Sequence, residues 1–108
     1  MKKSTIVAFC VLAISLVSIV AYAAEGWTSW STVDEVWGGY SDGDIYVRGL
    51  SNTAGCSSSD IKFESSYADT ASIQSLATAA LLSGKDFKCY VSGCSGSYQK
   101  GYRCKLGN

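Results

Sequence analysis

The chain is 108 residues long and carries nine basic and nine acidic residues but no histidine. This length fits one small domain. The balanced charge argues against a nucleic-acid-binding domain, which is typically strongly basic. The lack of histidine removes the commonest general base and a common metal ligand.

The first 23 residues have the order of a secretory signal peptide. Lys2 and Lys3 precede an apolar run over residues 6–20, and Ala21 and Ala23 stand at positions −3 and −1 of a cleavage site. We therefore expect residues 1–23 to be removed and residues 24–108 to form a single secreted or periplasmic domain without a membrane span. An uncleaved anchor is the alternative, because the run approaches a membrane-spanning length.

Five segments after the predicted signal peptide alternate β-branched or aromatic residues with polar ones, which is typical of strands. Glycine, serine or aspartate ends each segment, with turn chemistry at residues 38–39, 42–43 and 93–97. The predicted strands are residues 32–37, 44–50, 60–66, 86–92 and 98–106.

One helix is predicted between the third and fourth strands. Asp69 or Thr70 can cap its first turn, and Gly84 followed by Lys85 marks its end. Apolar residues recur with helical spacing, which predicts a face packed on the sheet. These residues are Ile73, Leu76, Ala77, Ala80 and Leu81.

The order of these elements predicts an α+β, mostly β domain. Three strands, a helix and a final hairpin are the element order of an OB-like barrel with five antiparallel strands. An open antiparallel sheet with one helix packed on a face would give the same order, so both remain open from the sequence.

Four cysteines remain once Cys10 leaves with the signal peptide. An even number of cysteines in a small exported domain predicts two disulfides. Zinc is the competing interpretation, and the absence of histidine, the cysteine spacing and the oxidising compartment argue against it. We expect no metal and no cofactor.

Strand parity narrows the pairing of the cysteines. Residues two apart point to the same side of a sheet, so Cys89 and Cys104 each lie on an apolar face of the last hairpin. If both faces look inward, these two cysteines are neighbours, and Cys56 is left to pair with Cys94. The sequence alone permits three connectivities, of which Cys89 with Cys94 is disfavoured because one strand would have to fold back.

Several motifs resemble a group of small exported bacterial proteins of unknown function. The motifs are residues 52–60 around Cys56, the alanine-rich helix ending at residues 83–85, and residues 91–94 followed by Tyr98. The resemblance implies a bridge between Cys56 and Cys94 and makes the other pair an addition. The element order is in turn similar to the OB-fold B subunits of AB5-type toxins, secreted rings that bind host glycans, which is a resemblance of fold only.

Catalysis has little support in the sequence. The serines at 57–59 and 95–97 have no neighbouring motif that would activate a hydroxyl, and nothing in the spacing selects two of the carboxylates of Asp42, Asp44 and Glu64 as a catalytic pair. We therefore expect no enzymatic activity and no catalytic residue.

Aromatic residues are the strongest candidates for a binding site, because the apolar face of a sugar stacks on an aromatic ring. Strand alternation directs Phe87 and Tyr102 inward and leaves Tyr98 on another face, while Trp37 and Tyr40 flank a glycine turn. Trp37, Tyr40 and Tyr98 are thus the candidate ligand-binding residues, although a ring taken singly more often serves the core, edge cover or a subunit contact than a ligand.

Charge is unevenly distributed along the predicted mature chain. Acids dominate residues 25–69 and bases dominate residues 85–108, so the C-terminal segment is locally cationic. An ordinary solvated face is the favoured interpretation of this segment, and a patch that recruits an anionic partner is the other. We expect a non-enzymatic binding module for a glycan or another cell-surface ligand, resembling a toxin B subunit and able to form a homo-oligomer, with no nucleic-acid partner. The alternative is a disulfide-stapled structural or inhibitory protein that makes only protein–protein contacts.

Overall fold

A computed structural model describes residues 24–107; the predicted signal peptide lies outside them. The described residues are mostly β with one helix, α1 (Thr70–Ser83), between the fourth and fifth strands, which confirms the α+β class. No helix in this part of the chain is long and apolar enough to cross a membrane. The strands are β1 (Glu25–Trp27), β2 (Glu35–Trp37), β3 (Ile45–Arg48), β4 (Ile61–Phe63), β5 (Phe87–Ser95) and β6 (Tyr98–Leu106).

The strands form one sheet in the order β1-β5-β6-β4-β3-β2. The sheet is mixed rather than fully antiparallel, because β4 and β6 are parallel, with Ile61 opposite Gln99 and Lys62 opposite Lys100. A parallel pair needs a crossover connection, and α1 together with β5 provides it. The expectation of an all-antiparallel arrangement is therefore wrong at this one pair.

The sheet has six strands instead of the expected five, because the N-terminal segment contributes a short strand to each edge. β1 pairs with β5 and β2 pairs with β3. Between them, Ser31 exchanges backbone hydrogen bonds with Phe87 (3.0 and 2.8 Å), and Asp34 N donates to Arg48 O (2.8 Å). One segment thus follows both edges, although the strand pairing leaves the sheet open and does not close it into a barrel.

The helix begins and ends where the sequence predicts. Asp69 is the N-cap, and its carboxylate accepts hydrogen bonds from the backbone N–H (3.2 Å) and the hydroxyl (2.9 Å) of Ser72. These bonds, led by that from the hydroxyl, hold the pKa of Asp69 below its ordinary value. Gly84 ends the helix in the left-handed conformation that glycine adopts without strain, and its N–H donates to Ala80 O (2.9 Å).

The hydrophobic core lies between α1 and the inner face of the sheet. From the helix, Ile73, Ala77 and Ala80 are buried, whereas Leu81, expected on the same stripe, is 40% exposed. The sheet contributes alternate residues of each central strand, as the two-residue repeat requires. These are Ile45, Val47, Ile61, Phe63, Phe87, Cys89 and Val91.

Gly101 of β6 lies directly against the side chains of β4 in the core. A side chain at this position would collide with Ile61 and Phe63 of β4. The absence of a side chain therefore lets the two parallel strands pair over the buried side chains of Ile61 and Phe63.

Two irregularities in the β5–β6 hairpin change the side to which residues point. Register shifts occur between Tyr90 and Val91 and between Val91 and Cys94. A bulge adds an unpaired residue and breaks the alternation. Tyr102 consequently does not enter the core as the simple alternation predicts; it is only partly buried and packs against Tyr90 and Tyr67.

Gln99 of β6 is the largest buried polar side chain without charge. Its Nε2 donates to the carbonyls of Ser51 (2.9 Å) and Ser59 (2.7 Å), and its Oε1 accepts from the N–H of Ala54 (2.9 Å). The residue is fully buried. The long connection between β3 and β4 is thus held against β6 by one amide whose oxygen and nitrogen both have partners.

Two disulfides are present, and they join the pairs favoured by strand parity. Cys89 and Cys104 face each other in the register of β5 and β6. Cys56 is joined to Cys94 across a separation of 38 residues, with Cα atoms 5.7 Å apart. The second bridge fixes the β3–β4 connection to the end of β5, close to the anchorage by Gln99. Two disulfides also indicate an oxidising, extracytoplasmic environment.

Replacing Gln99 by leucine should destabilise the protein strongly. The Q99L variant leaves a buried N–H and two carbonyls without their partner, so the free energy of unfolding should fall by about 2–4 kcal/mol. Urea denaturation of the oxidised protein measures the loss, with Q74L at an exposed helix position as the matched control. A loss no greater than that of Q74L would contradict the anchoring role.

Removing the bridge between Cys56 and Cys94 should also destabilise the fold. The C56S/C94S variant opens a 38-residue loop, and chain entropy predicts a loss of about 4 kcal/mol. Urea denaturation gives this value, and peptide mapping of the unreduced wild-type protein checks the connectivity. Recovery of Cys56 linked to Cys89 or Cys104 would be incompatible with the fold described.

Candidate functional site

Four aromatic side chains meet on the outer face of the sheet, and we call them the Tyr46 cluster. The ring of Tyr46 lies 5.7 Å from that of Trp37, 5.6 Å from Tyr40 and 5.1 Å from Tyr98, measured between centroids. The three residues that the sequence singles out are therefore brought together: Trp37 and Tyr40 come from the two ends of one glycine turn, and Tyr98 comes from the distant β5–β6 hairpin. Tyr46 is the ring that connects them.

The central position of Tyr46 follows from strand geometry. Its neighbours Ile45 and Val47 are buried in the core, so Tyr46 points to the opposite face. It stands opposite Trp37 of β2 and opposite Lys62 of β4 in the strand register. Trp37 and Tyr46 thus come from adjacent strands that the sheet holds in a fixed relation.

Tyr40 is presented by a braced turn between β2 and β3. The N–H of Gly43 donates to Tyr40 O (3.0 Å), and the side chain of Asp42 accepts from the N–H of Asp44 (2.9 Å). The hydroxyl of Ser65 donates to Asp42 O (2.6 Å), while Asp44 accepts from the N–H of Ser65 (2.9 Å). The turn is tied to the end of β4, and the ring of Tyr40 remains 51% exposed.

Tyr98 is held by the tight turn between β5 and β6, where it stands opposite Ser95. The hydroxyl of Ser95 donates to the carboxylate of Glu64 (2.8 Å), and Ser97 O accepts from the N–H of Ser58 (2.8 Å). Together with the neighbouring bridge at Cys94, these bonds brace the turn that carries Tyr98.

Charged side chains surround the aromatic rings. Arg48 lies over Trp37 at 5.1 Å from the ring centroid, and its guanidinium donates to both carboxylate oxygens of Asp60 (3.3 Å each). The hydrogen bonds and the charge of Asp60 raise the pKa of Arg48 above its ordinary value. The indole of Trp37 in turn donates to Glu35 (2.7 Å).

Lys62 completes the rim on the other side of Tyr46. Its Nζ lies 5.9 Å from the Tyr46 centroid and 3.9 Å from a carboxylate oxygen of Asp44. The cluster therefore combines apolar ring faces with both donors and acceptors at its edge. This combination suits a ligand that has apolar faces and many hydroxyl groups.

The three carboxylates weighed in the sequence as catalytic candidates all take part in local structural contacts. The structure places Asp42, Asp44 and Glu64 in hydrogen bonds that brace turns. No group of three or more histidine, cysteine, aspartate or glutamate side chains among these residues could hold a metal ion.

Tyr67 and Tyr102 continue the aromatic surface beyond the Tyr46 cluster. Their rings are 4.9 Å apart, and Lys100 lies 5.0 Å from the Tyr67 centroid. The hydroxyl of Tyr67 is buried and has no hydrogen-bond partner among the described residues. Burial, followed by the charge of Glu64, raises the pKa of this phenol well above its usual range.

The sequence missed Tyr46 as the centre of the site. The signal that could have identified it was present, because Ile45 and Val47 alternate around it and direct it away from the core. What the sequence did not contain was the pairing of β2 with β3 and the position of the β5–β6 turn, which bring the other three rings to Tyr46.

Comparison of the chain with protein-family models, with curated proteins and with solved structures finds no match.

Replacing Tyr67 by phenylalanine should preserve or raise stability. The Y67F variant removes a hydroxyl that lacks a partner, which predicts a gain of up to about 1 kcal/mol in urea denaturation at pH 7. The control is Y90F, which loses the hydrogen bond from Tyr90 to Glu25 (2.7 Å). A clear loss in Y67F would mean that its hydroxyl has an unseen partner.

The same variant should change the alkaline limb of the stability profile. The folded-state pKa of Tyr67 is raised, so its contribution is present below the unfolded value of about 10 and is lost as the pH rises beyond it. Wild-type protein should therefore lose more stability than Y67F above pH of about 10. Equal slopes for the two proteins would contradict the assignment.

Proposed function

We propose that this protein is a secreted, non-enzymatic binding module whose Tyr46 cluster takes a glycan of a cell surface. The observation that carries the proposal is the convergence of Trp37, Tyr40 and Tyr98 on Tyr46. Aromatic rings that form a core are buried among aliphatic side chains. These four rings instead contact one another on the outer face.

The hydrogen-bonded backbone under the cluster supports a binding role. Strand pairing holds the backbone of Trp37 and Tyr46, and hydrogen-bonded turns hold the backbone beside Tyr40 and Tyr98. A site that is ordered before the ligand arrives loses less conformational entropy on binding. The polar rim supplies the directional contacts that sugar hydroxyls require, from Arg48 and Lys62 as donors and from carboxylates as acceptors.

We further propose that the sheet is an OB-like arrangement. β1 and β2 would then be the two halves of one bent N-terminal strand, and the sheet would have five strands. Their order along the chain, three strands, a helix and a hairpin, is the order of elements in the OB-fold. In OB-folds, ligands bind on the second and third strands and the adjoining loops. The corresponding elements here are β3, β4, the turn that carries Tyr40 and the turn that carries Tyr98.

A relationship to the B subunits of AB5-type toxins is part of this proposal, as is a homo-oligomer. Both rest on the element order and on a surface suited to glycans, and fold alone does not assign function.

A second candidate is a stapled structural or inhibitory protein that makes only protein–protein contacts. The outer side of α1 favours it, since Leu82 is 81% exposed beside a shallow depression of about 590 Å³. An exposed apolar side chain on a small-residue helix face suits contact with another protein. The lining residues are Ala71, Gln74, Ser75, Thr78, Ala79 and Leu82.

The proposal is tested by a glycan-array screen of the purified oxidised protein, with light scattering to establish its oligomeric state. For a neutral glycan that binds, Y46A should weaken affinity about tenfold, because the central stacking surface is lost. Y46F retains the ring and should bind nearly as well as wild type.

The matched control is L82A, which removes an exposed apolar side chain from α1 and should leave glycan affinity unchanged. Binding that survives in Y46A, or falls equally in L82A, would reject the Tyr46 cluster as the site. A monomer that binds no glycan would shift support to the second candidate.

A further inference from the structure

The outer face of the sheet also carries aromatic rings on the strands far from the Tyr46 cluster. Here the rings alternate with cations. We call this surface the basic strip. It lies on β5 and β6 and on the N-terminal segment that begins with β1. Its members are Trp27, Trp30, Lys88, Tyr90, Arg103 and Lys105.

The register of the strands builds the strip. Tyr90 of β5 stands between Trp27 of β1 and Arg103 of β6, so one row crosses three strands. Lys88 stands opposite Lys105 in the next row along the hairpin. Neighbouring strands are about 5 Å apart, so the rings and charges are spaced at roughly the length of a sugar residue.

The cations of the strip lie over aromatic rings. Lys88 is 4.6 Å from the centroid of Trp30, Lys105 is 4.6 Å from Trp27, and Arg103 is 4.4 Å from Tyr90. Such contacts hold a cation in place without neutralising it. Each charge is therefore positioned and still available to an anion.

The lysines of the strip stand opposite each other without an ion-pair partner among the described residues. Two lysines directly opposite each other in a sheet repel. Within residues 24–107 the ion pairs are made by Arg48 and Lys62, and none includes Lys88, Arg103 or Lys105. Charge complementarity thus indicates an anionic occupant.

Acids flank the strip at two places: Glu25 lies on β1, and Asp86 precedes Lys88 by two residues. Glu25 accepts hydrogen bonds from the hydroxyls of Tyr90 (2.7 Å) and Ser92 (3.2 Å). It is thus engaged beside the row that contains Arg103 and away from the lysine pair. Lys88 and Lys105 lie at the other end of the strip, beside the partly exposed Trp30, and neither forms an ion pair within residues 24–107.

The strip is continuous with the Tyr46 cluster. Tyr102 connects the ring of Tyr90 (6.5 Å) with that of Tyr67 (4.9 Å), and Tyr67 carries Lys100 above it. Lys100 stands opposite Lys62, which borders Tyr46. One track of rings and cations therefore crosses the sheet from β1 to β2.

We propose that the basic strip binds an acidic polysaccharide, with sugar rings stacked on the aromatic side chains and carboxylates held by Lys88, Arg103 and Lys105. The proposal rests on the proposed function, since it makes the strip an extension of the glycan site. It also names the class of ligand, a polyanionic sugar chain. Single-stranded nucleic acid shares the need for rings and cations, but the two disulfides indicate an extracytoplasmic environment, which favours the polysaccharide.

The test compares two ligands with the same sugar chain, a short oligogalacturonate, whose carboxylates are charged, and its methyl ester, whose carboxyl groups are neutral. Isothermal titration calorimetry on the oxidised protein at low ionic strength should give about tenfold tighter binding of the free acid. The difference should shrink as salt is added, because exposed charges are screened. Equal affinity for acid and ester would overturn the proposal.

The matched variants are K88Q/K105Q on the strip and K85Q beside the helix end. K88Q/K105Q should weaken binding of the acid about fivefold and leave the ester unchanged. K85Q removes a positive charge outside the strip and should change neither affinity. The affinity lost per removed charge should be smaller in K85Q than in K88Q/K105Q. An equal loss per charge would mean that only the overall charge matters, and it would overturn the proposal.

Two further outcomes separate this proposal from the proposed function. Y46A should weaken both ligands; if it changes neither while K88Q/K105Q still weakens the acid, the strip is a site and the Tyr46 cluster is not. Tighter binding of a single-stranded oligothymidylate than of the oligogalacturonate, with the same loss in K88Q/K105Q, would overturn the polysaccharide in favour of nucleic acid.

Discussion

The structure depends most on the buried amide of Gln99. Three backbone groups of the long β3–β4 connection end on this one side chain, which is fully buried and has both its oxygen and its nitrogen occupied. A long connection without regular structure would otherwise carry buried backbone groups that water could not reach. Because residues alternate along a strand, the same β6 that turns Gln99 inward turns Tyr98 and Lys100 outward, so the anchorage of the loop and the position of the outer face are consequences of one register.

The close contact between β4 and β6 extends this dependence to the rest of the sheet. Gly101 lets the strands approach over Ile61 and Phe63, and their parallel pairing connects the β2-β3-β4 meander to the β5–β6 hairpin. Without that pairing the Tyr46 ring would have no partner from the hairpin, because Tyr98 comes from the far side of β4. The outer aromatic surface therefore belongs to the whole sheet and not to any single hairpin.

The sequence predicts those parts of the fold that local chemistry determines. Asp69 and Gly84 bound the helix because capping is local, and β6 begins and ends where its alternation does. β1 escaped prediction because three residues including a glycine carry no periodicity, and pairing with β5 alone makes them a strand. Tyr102 was assigned to the wrong side because a bulge breaks parity without leaving a mark in the residue types.

The uneven charge of the chain acquires a physical meaning only in the sheet. Arg48 and Lys62, which come from the acid-rich part of the sequence, meet Asp60 and Asp44 there, so the cations around Tyr46 are neutralised by neighbours. The lysines of β5 and β6 come from the base-rich part and face each other and aromatic rings instead. One face of the sheet thus has two halves. Around Tyr46 the cations are paired with acids, whereas on β5 and β6 the lysines carry positive charge that is unpaired within residues 24–107. A ligand lying across both halves would be held by stacking at one end and by charge at the other, and only the second contribution would weaken with salt.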